Sequence, residues 1–152
     1  MSANQTTKLR IITKYHSDNV CDPVIPTKAY PTDIGYDLTL VRQNKQLNSH
    51  TWMYDTSVAV IPPIGYYVEI VPRSSLSKYG YIMANSIGII DPSYQGTLKI
   101  VLTKIVEDAE DITLPFCRFQ MILRKAETAD LEIIKDHLSE TDRGNGGFGS
   151  TD

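Results

Sequence analysis

The chain has 152 residues, of which 41% are hydrophobic and 22% charged, and its formal net charge is −3. This length suits one domain, and the composition excludes a disordered, collagen-like or coiled-coil chain. The acidic balance argues against nucleic acid as a partner, because nucleic-acid binders are usually basic. It still allows a small anionic ligand that is held by a few local cations.

The sequence contains no pattern typical of a membrane segment or of a secretory signal. No apolar run approaches the roughly 18 residues that a membrane helix needs, so we expect no membrane partner. The first residues lack the apolar core of a signal peptide, so we expect an intracellular protein, in the cytoplasm or the nucleus. Cys21 and Cys117 have no C-x-x-C spacing and the three histidines lie far apart, so we expect neither a disulfide nor a zinc site.

Turn signals divide the chain into short segments rich in β-branched and aromatic residues, which favour strands. A short helix is predicted at 75–79, because Gly80 is suited to end it. Many short strands at close spacing indicate an all-β sandwich, jelly roll or barrel. We predict strands at 8–15, 36–40, 57–61, 66–71, 81–84, 87–90, 98–104, 112–114, 119–125 and 131–134.

The end of the chain differs from the rest, because four of the nine glycines lie between residues 142 and 152. We therefore divide the chain into a β domain at 1–138 and a glycine-rich arm at 139–152. Such an arm is either disordered or becomes ordered when it docks onto a surface. Phe148 favours docking, because a lone aromatic ring among glycines offers a flat surface for stacking.

Residues 72–76 (PRSSL) place an arginine and two hydroxyl groups between a predicted strand and a predicted helix. Arg73, Ser74 and Ser75, with the backbone N–H groups at the start of the helix, could bind phosphate. Alternatively, one of the two serines simply caps the helix.

Two further segments place carboxylates next to predicted strands. In residues 85–96 (NSIGIIDPSYQG), Asp91 is followed by Pro92 and could orient a water molecule as a general base, or it merely begins a turn. In residues 32–38 (TDIGYDL), Asp37 could reach a hydrated magnesium ion, whereas a hairpin turn with solvated acids would explain the same pattern. In the arm, Arg143 and successive glycine N–H groups could wrap a terminal phosphate.

The order and spacing of five segments resemble the five motifs of the trimeric dUTPase family. These segments are residues 29–38, 72–76, 88–96, 119–121 and 143–151, and the resemblance covers about residues 24–152. It implies a distorted β jelly roll assembled as a homotrimer, in which the C-terminal arm of one subunit closes an active site formed by the other two. The implied reaction is magnesium-assisted hydrolysis of dUTP to dUMP and pyrophosphate. That reaction limits uracil incorporation into DNA and supplies dUMP for dTMP synthesis.

The resemblance also implies a role for each motif. Asp91 would orient the attacking water on the α-phosphorus, and Asp37 would hold magnesium through water or support Asp91. Tyr94 would pack under the deoxyribose and clash with a ribose 2′-hydroxyl. The other implied substrate contacts are Asn85, Gly88 and Ile90 for the uracil edge, Arg73, Ser74, Ser75 and Gln120 for the phosphates, Arg143, Gly149, Ser150 and Thr151 for the γ-phosphate, and Phe148 for stacking on the uracil.

Three positions depart from the family pattern. Residues 95–97 (QGT) stand where Arg-Gly-Glu is common, and we expect little effect on the chemistry because they follow the catalytic part of the hairpin. Cys117 stands where an arginine is usual, and strand alternation sends the next residue, Arg118, to the opposite face unless a bulge restores its direction. Asp152 replaces the usual glycine, and a carboxylate beside a γ-phosphate would let the arm close less tightly.

Two other functions fit parts of this pattern. The related dCTP deaminase shares the fold and the Arg-Ser-Ser segment, but it needs a glutamate where Val101 stands and lacks the glycine-rich arm. A catalytically silent interaction module of the same fold would have no physical need to combine Arg73, Asp91, Tyr94 and Phe148. Release of pyrophosphate from dUTP separates the enzyme from both alternatives.

Overall fold

The computed structural model describes residues 7–135 and 139–148, and strands dominate this part of the chain. A 3-10 helix at Ser74–Lys78 is the single helical segment of the described residues. The strands are β1 (Arg10–Thr13), β2 (Tyr36–Leu40), β3 (Arg42–Asn48), β4 (Thr51–Asp55), β5 (Val58–Ile61), β6 (Tyr66–Pro72), β7 (Tyr81–Met83), β8 (Gly88–Ile90), β9 (Lys99–Lys104) and β10 (Phe116–Lys125).

Two four-stranded sheets and a two-stranded sheet make up the fold. The first sheet has the order β2-β10-β6-β8, the second the order β3-β4-β9-β7, and β1 pairs with β5. Neighbouring strands in all three sheets run antiparallel. Alternate residues of β2, β6, β9 and β10 are buried, which gives each sheet one apolar face.

The apolar faces of the two larger sheets share one hydrophobic core. It contains Leu38, Ile70 and Phe119 from the first sheet, and Ile100 and Leu102 from the second. The sheets therefore pack face to face, as in a sandwich or jelly roll. The all-β prediction is confirmed. Among the described residues, no helix is long and apolar enough to cross a membrane.

Most predicted strands are confirmed, while those at 112–114 and 131–134 are wrong. Ile112 and Leu114 pack at the edge of the core without a ladder partner, and Leu131 and Ile133 are more than nine-tenths exposed. The hairpin of β3 and β4 was not predicted, because β3 is polar and mostly exposed and so shows no apolar alternation. The predicted helix begins one residue earlier and is of the 3-10 type, and Gly80 follows it with a φ of 72°.

A fully buried carboxylate lies where β4 ends. Asp55 Oδ1 accepts a hydrogen bond from the Ser57 backbone N–H at 2.7 Å, and Asp55 Oδ2 accepts bonds from Thr97 Oγ1 at 2.8 Å and Arg42 Nη2 at 3.0 Å. Arg42 also pairs with Asp18, whose side chain is 59% exposed. Burial acts to lower the pKa of Arg42, but its hydrogen bonds to both carboxylates outweigh burial and raise that pKa. Asp55 is thus a buried charge with a complete set of partners.

Replacing the buried partner of Arg42 should therefore cost much more stability than replacing the exposed one. We expect Asp55→Asn to lower the free energy of unfolding by about 3–5 kcal/mol, because it leaves the guanidinium without a buried counter-charge. Asp18→Asn is the matched control and should change it by at most about 1 kcal/mol. Urea unfolding at a fixed protein concentration measures both, and similar small losses in the two variants would contradict the role of Asp55.

Candidate active site

Three neighbouring strands of the first sheet bring an arginine, an aspartate and a glutamine together. Gln120 on β10 lies opposite Asp37 on β2 and opposite Val71 on β6, and Arg73 directly follows β6. Arg73 Nη1 donates to Asp37 Oδ2 at 2.6 Å, and the Arg73 backbone N–H donates to the Arg118 carbonyl at 2.8 Å. Both side chains of the ion pair remain partly exposed, so the guanidinium is oriented but accessible.

Two small details of the sequence shape this cluster. A Cβ at position 35 would collide with the side chain of Gln120, so Gly35 is what allows Gln120 to lie beside β2. The N-cap residue of the 3-10 helix is Arg73, and no side-chain hydrogen bond caps the helix, so the interpretation of Ser74 or Ser75 as a capping residue is wrong. A cleft of about 440 Å³ lies beside Arg73 and Ser74 and reaches Ser86.

The fourth motif contains a bulge, and the bulge leaves Arg118 outside the cluster. The pairing of β10 with β2 slips by one residue between Phe116 and Phe119. Arg118 Nη2 donates to Tyr79 Oη at 2.7 Å, its guanidinium lies over the Tyr79 ring, and it lines a separate cavity of about 650 Å³ on that side. Cys117 instead faces the cluster, with its Sγ 3.9 Å from Arg73 Nη1. The larger cavity therefore lies away from the predicted phosphate ligands.

The third motif begins where the chain turns from β7, in the second sheet, into β8, at the edge of the first sheet. These two strands do not pair with each other, and we refer to the turn together with β8 as the hairpin. Asn85 and Ser86 make the turn before β8, with Ser86 at a φ of 58°, and Asn85 is exposed. Gly88 and Ile90 pair with Ile70 and Val68 of β6, and β8 has no partner on its other side among the described residues. The outer backbone groups of an edge strand are open to hydrogen bonding. The hairpin thus presents an amide side chain and a free strand edge.

Asp91 and Tyr94 lie in the turn that follows β8. Asp91 is exposed, and its carbonyl accepts a hydrogen bond from the Tyr94 N–H at 3.0 Å, so the aspartate does begin a turn. The hydrogen bond of this turn uses the Asp91 backbone carbonyl and not the Asp91 carboxylate. Tyr94 is 40% exposed, and its hydroxyl donates to the Thr97 carbonyl at 3.0 Å.

The Arg73 cluster and Asp91 lie at opposite ends of β6. Because Ile90 pairs with Val68 in an antiparallel ladder, Asp91 continues toward Tyr67, six positions before Arg73. Six positions of a strand span about 20 Å. One chain therefore brings Asp37, Arg73, Ser74, Ser75 and Gln120 together near one end of β6 and places Asp91 and Tyr94 beyond the other end. The turn at Asn85 lies on the Arg73 side, and Gly88 and Ile90 lead along β6 from there to Asp91.

The described part of the arm makes its hydrogen bonds within itself. Arg143 Nε donates to the Gly146 carbonyl at 3.0 Å, and the Gly144 N–H donates to the Thr141 carbonyl at 3.0 Å. Phe148 is fully exposed and has a φ of 49°. The predicted ligands Gly149, Ser150 and Thr151 lie outside the described residues.

The described side chains offer few ligands for a metal ion. Within residues 7–135 and 139–148, no three His, Cys, Asp or Glu side chains are grouped closely enough to hold one. Magnesium usually keeps several water molecules and binds one or two carboxylates together with phosphates of a ligand. Asp37, part-exposed and beside Arg73, fits an ion that is held mainly by phosphates and water.

Sequence reasoning missed the residues that support Tyr94. Thr97 and Lys99 both contact the Tyr94 hydroxyl, and Thr97 also donates to Asp55. Position 97, where we expected little effect, therefore links Tyr94 to the protein interior. A threonine in a turn and a lysine in a strand carry no sequence signal for such a contact. Cys117 was identified as a departure, but its contact with Arg73 was not predicted.

Comparisons with known proteins agree with the order of the motifs. A family model described as dUTPase matches residues 22–152. The deoxyuridine 5'-triphosphate nucleotidohydrolase of Candida albicans is 35% identical over 129 residues, which is 84% of this chain and 80% of that protein. The enzyme of the same name from Escherichia phage T5 is 36% identical over 124 residues, covering 80% of this chain and 79% of that one.

Solved structures agree on the fold. The dUTPase of Staphylococcus bacteriophage 80alpha with dUpNHpp has a TM-score of 0.74 at 23% identity and covers 97% of this chain and 99% of that chain. A variant dUTPase of phage phi11 of S. aureus, described with a structural Mg(II) ion, has a TM-score of 0.65 at 18% identity, covering 85% and 97%. The family match over residues 22–152 and the similarity to these relatives show that the chain belongs to the dUTPase family and has its distorted jelly-roll fold.

Proposed function

We propose that this chain is a dUTP diphosphatase that hydrolyses dUTP to dUMP and pyrophosphate at a site built by neighbouring copies of the chain. The observation that carries the proposal is the separation of Arg73 and Asp91 along β6, by about 20 Å in one chain. A phosphate-binding cluster and a water-orienting carboxylate act on one phosphate only when they are within a few ångströms of each other. A second copy that brings its hairpin to the Arg73 cluster of the first removes the separation.

The phosphate side of the site is the cluster around Arg73. Its guanidinium carries a positive charge and several N–H donors, which suit phosphate oxygens. Asp37 holds that guanidinium at 2.6 Å, so the arginine is already oriented before a nucleotide binds. Ser74 lines the cleft with Arg73, Ser75 follows it in the 3-10 helix, and Gln120 lies opposite Asp37, so these residues add hydroxyl and amide donors near the guanidinium. This cluster takes the α- and β-phosphates.

The nucleoside side of the site is the hairpin. Uracil presents alternating acceptors and a donor along one edge, and the free edge of β8 at Gly88 and Ile90 offers backbone groups of both kinds. The exposed Asn85 adds a side-chain amide. Tyr94 lies four residues after Ile90 and packs its ring against the deoxyribose. A 2′-hydroxyl on that face of the sugar meets the ring, so ribonucleotides are disfavoured.

Asp91 acts as the general base. Its carboxylate accepts a proton from a water molecule, and that water attacks the α-phosphorus. The bond between the α-phosphorus and the bridging oxygen breaks, and pyrophosphate leaves. Magnesium, held by Asp37 through water and by the phosphates, would neutralise charge on the triphosphate. Among the described residues, no group of three ligating side chains surrounds Asp37, and this donor set suits an ion that arrives with the substrate.

The arm closes the site of a neighbouring subunit in a homotrimer. Phe148 stacks on the uracil, while Arg143, Gly149, Ser150 and Thr151 bind the γ-phosphate. The full exposure of Phe148 supports this, because an aromatic ring gains stability only when it finds a surface to cover. The exposed Leu131 and Ile133 support an intersubunit path for the segment before the arm. The division at 138 and 139, and an intracellular location, remain predictions.

Pyrophosphate release with magnesium, compared on dUTP, dCTP, dTTP and UTP, tests the proposed function. Turnover of dUTP alone is the expected result. Release of ammonia from dCTP would favour the deaminase, although Val101 lies on β9 where that reaction needs an acid. Absence of turnover on all four nucleotides would favour the silent interaction module.

Loss of the general base should slow the chemical step without loss of binding. We expect Asp91→Asn to bind a non-hydrolysable dUTP analogue normally and to lower kcat by on the order of 10²-fold or more. Asp108→Asn, at an exposed loop position, is the matched control and should keep the wild-type rate. A kcat for Asp91→Asn within a few-fold of wild type would show that another group activates the water.

A composite site should allow two inactive variants to restore each other. Arg73→Ala and Asp91→Asn should each be nearly inactive alone. In mixed oligomers some sites combine an intact Arg73 cluster with an intact Asp91, so co-expression in equal amounts should restore about a quarter of the wild-type activity. A mixture that stays as inactive as its components would place both residues in one chain's site.

Removal of the arm should separate folding from catalysis. A chain that ends at residue 142 should keep its thermal unfolding midpoint, because the described part of 143–152 makes no hydrogen bond to the β domain. We expect its kcat/KM for dUTP to fall by on the order of 10²-fold, since an open site admits water and positions the phosphates poorly. Normal dUTP hydrolysis by the truncated chain would refute closure by the arm.

A further inference from the structure

The side chain of Tyr94 is held on its inner side. Its hydroxyl donates to the Thr97 carbonyl at 3.0 Å, although the residue as a whole is 40% exposed. The ring reaches Thr97 by folding across Gly96, where a Cβ would collide with the tyrosine hydroxyl. Residues 94–97 therefore form a closed loop in which the ring lies against its own backbone.

Thr97 is anchored in turn to the protein interior. It is buried, and its Oγ1 donates to Asp55 Oδ2 at 2.8 Å. Asp55 has no exposed surface and also accepts bonds from Arg42 and from the Ser57 backbone. A carboxylate with three donors cannot rotate without breaking buried hydrogen bonds, so it offers Thr97 a rigid support.

Lys99 joins all three groups. It lies opposite Asp55 in the ladder of β4 and β9. Its Nζ lies 3.3 Å from Thr97 Oγ1, 3.4 Å from the Thr97 carbonyl and 3.5 Å from Tyr94 Oη, and 3.9 Å from Asp55 Oδ2. An ammonium group only donates, so the tyrosine hydroxyl accepts from Lys99 while it donates to Thr97. The tyrosine thus ends a polar chain that begins at a buried charge.

We infer that Asp55, Thr97 and Lys99 are positioning residues that fix the Tyr94 ring and thereby set the discrimination between deoxyribose and ribose. This inference rests on the proposed function, in which the Tyr94 ring packs against the sugar. A ring excludes a 2′-hydroxyl only to the extent that it resists displacement. A tyrosine free to rotate about its side-chain bonds would give way to the added oxygen, whereas one held by two polar contacts would not.

The two lysines of β9, Lys99 and Lys104, differ in what they contact. Lys104 also lies on this strand and also pairs with a carboxylate, Asp111, at 3.5 Å. Its backbone N–H donates to the His50 carbonyl, and it lies opposite Tyr81 in the ladder of β7 and β9, at the other end of β9 from Lys99 and the Tyr94 turn. Lys104→Met is therefore a matched control for Lys99→Met. Asp55→Asn is unsuitable as the main test, because its loss of stability would obscure a change in specificity.

The test compares kcat/KM for dUTP with kcat/KM for UTP in the wild type, Lys99→Met, Thr97→Val and Lys104→Met. In Lys99→Met and Thr97→Val we expect the ratio to fall about tenfold, with the KM for dUTP raised and kcat changed much less, because the sugar contact is remote from the reacting phosphorus. Lys104→Met should keep the wild-type ratio. Ratios within twofold of wild type in both Lys99→Met and Thr97→Val would overturn the inference, even if their thermal stability is lower.

A double-mutant cycle identifies the contact responsible. Tyr94→Phe keeps the ring but removes the hydroxyl that Thr97 and Lys99 hold, so it should lower the same ratio. Adding Lys99→Met to Tyr94→Phe should then produce no further fall, since the lysine has lost its target. Independent, additive losses would mean that Lys99 acts on substrate without Tyr94, and would overturn the inference.

A second measurement separates this inference from the proposed function. Carbon relaxation of the labelled Tyr94 ring, without nucleotide, should show a well-ordered ring in the wild type and in Lys104→Met. It should show a more mobile ring in Lys99→Met and Thr97→Val. Wild-type protein without dUTP turnover would refute the proposed function, and the ring measurement would still decide whether these residues position Tyr94. A ring equally ordered in all four proteins would refute the positioning role.

Discussion

The antiparallel pairing of β6 with β8 is the constraint on which the arrangement of this molecule depends. Gly88 pairs with Ile70 and Ile90 with Val68, so the chain leaves β8 in the direction away from Arg73. No local rearrangement of a turn can recover a distance of about 20 Å, because the two strands belong to the same hydrogen-bonded sheet. Arg73 and Asp91 therefore lie at two ends of one strand, and in the proposed function a second copy of the chain brings them together.

The Arg73 cluster is already organised within one chain. Arg73 is held by Asp37 at 2.6 Å, and the glutamine next to them has room only because residue 35 lacks a Cβ. A partly exposed ion pair contributes little to stability, so its value lies in the orientation of the guanidinium. The bulge in β10 has a related consequence, because it turns Arg118 toward Tyr79 and leaves Cys117 beside Arg73. Among the described residues of the first, second and fourth motifs, Arg73 is then the one arginine that belongs to the cluster.

The parts of this fold that could be predicted are those with a local pattern. The strand at Tyr36–Leu40 alternates between buried and half-buried residues and was predicted at its observed limits, and Gly80 ends the helix as expected. The strand at Arg42–Asn48 was missed because its residues are polar on both faces and it is held by its partner strand. The bond between Thr97 and Asp55 spans 42 positions of the chain, and no periodicity connects them. Motif order indicated the family, whereas the separation of its motifs in space required the register of the sheet.

The support of Tyr94 illustrates why a departure from a family pattern need not be neutral. Residue 97 follows the residues that we propose to contact the nucleotide, and in sequence it resembles any threonine outside a strand. In the structure its hydroxyl donates to a buried carboxylate and its backbone carbonyl accepts from the tyrosine hydroxyl, so the same residue contacts both the core and Tyr94. A buried charge is costly to desolvate, and a hydrophobic residue at position 55 would avoid that cost. In the proposed positioning role, the buried Asp55 carboxylate offsets this cost in function, because it holds Thr97 and Lys99 in place and they in turn fix the Tyr94 ring.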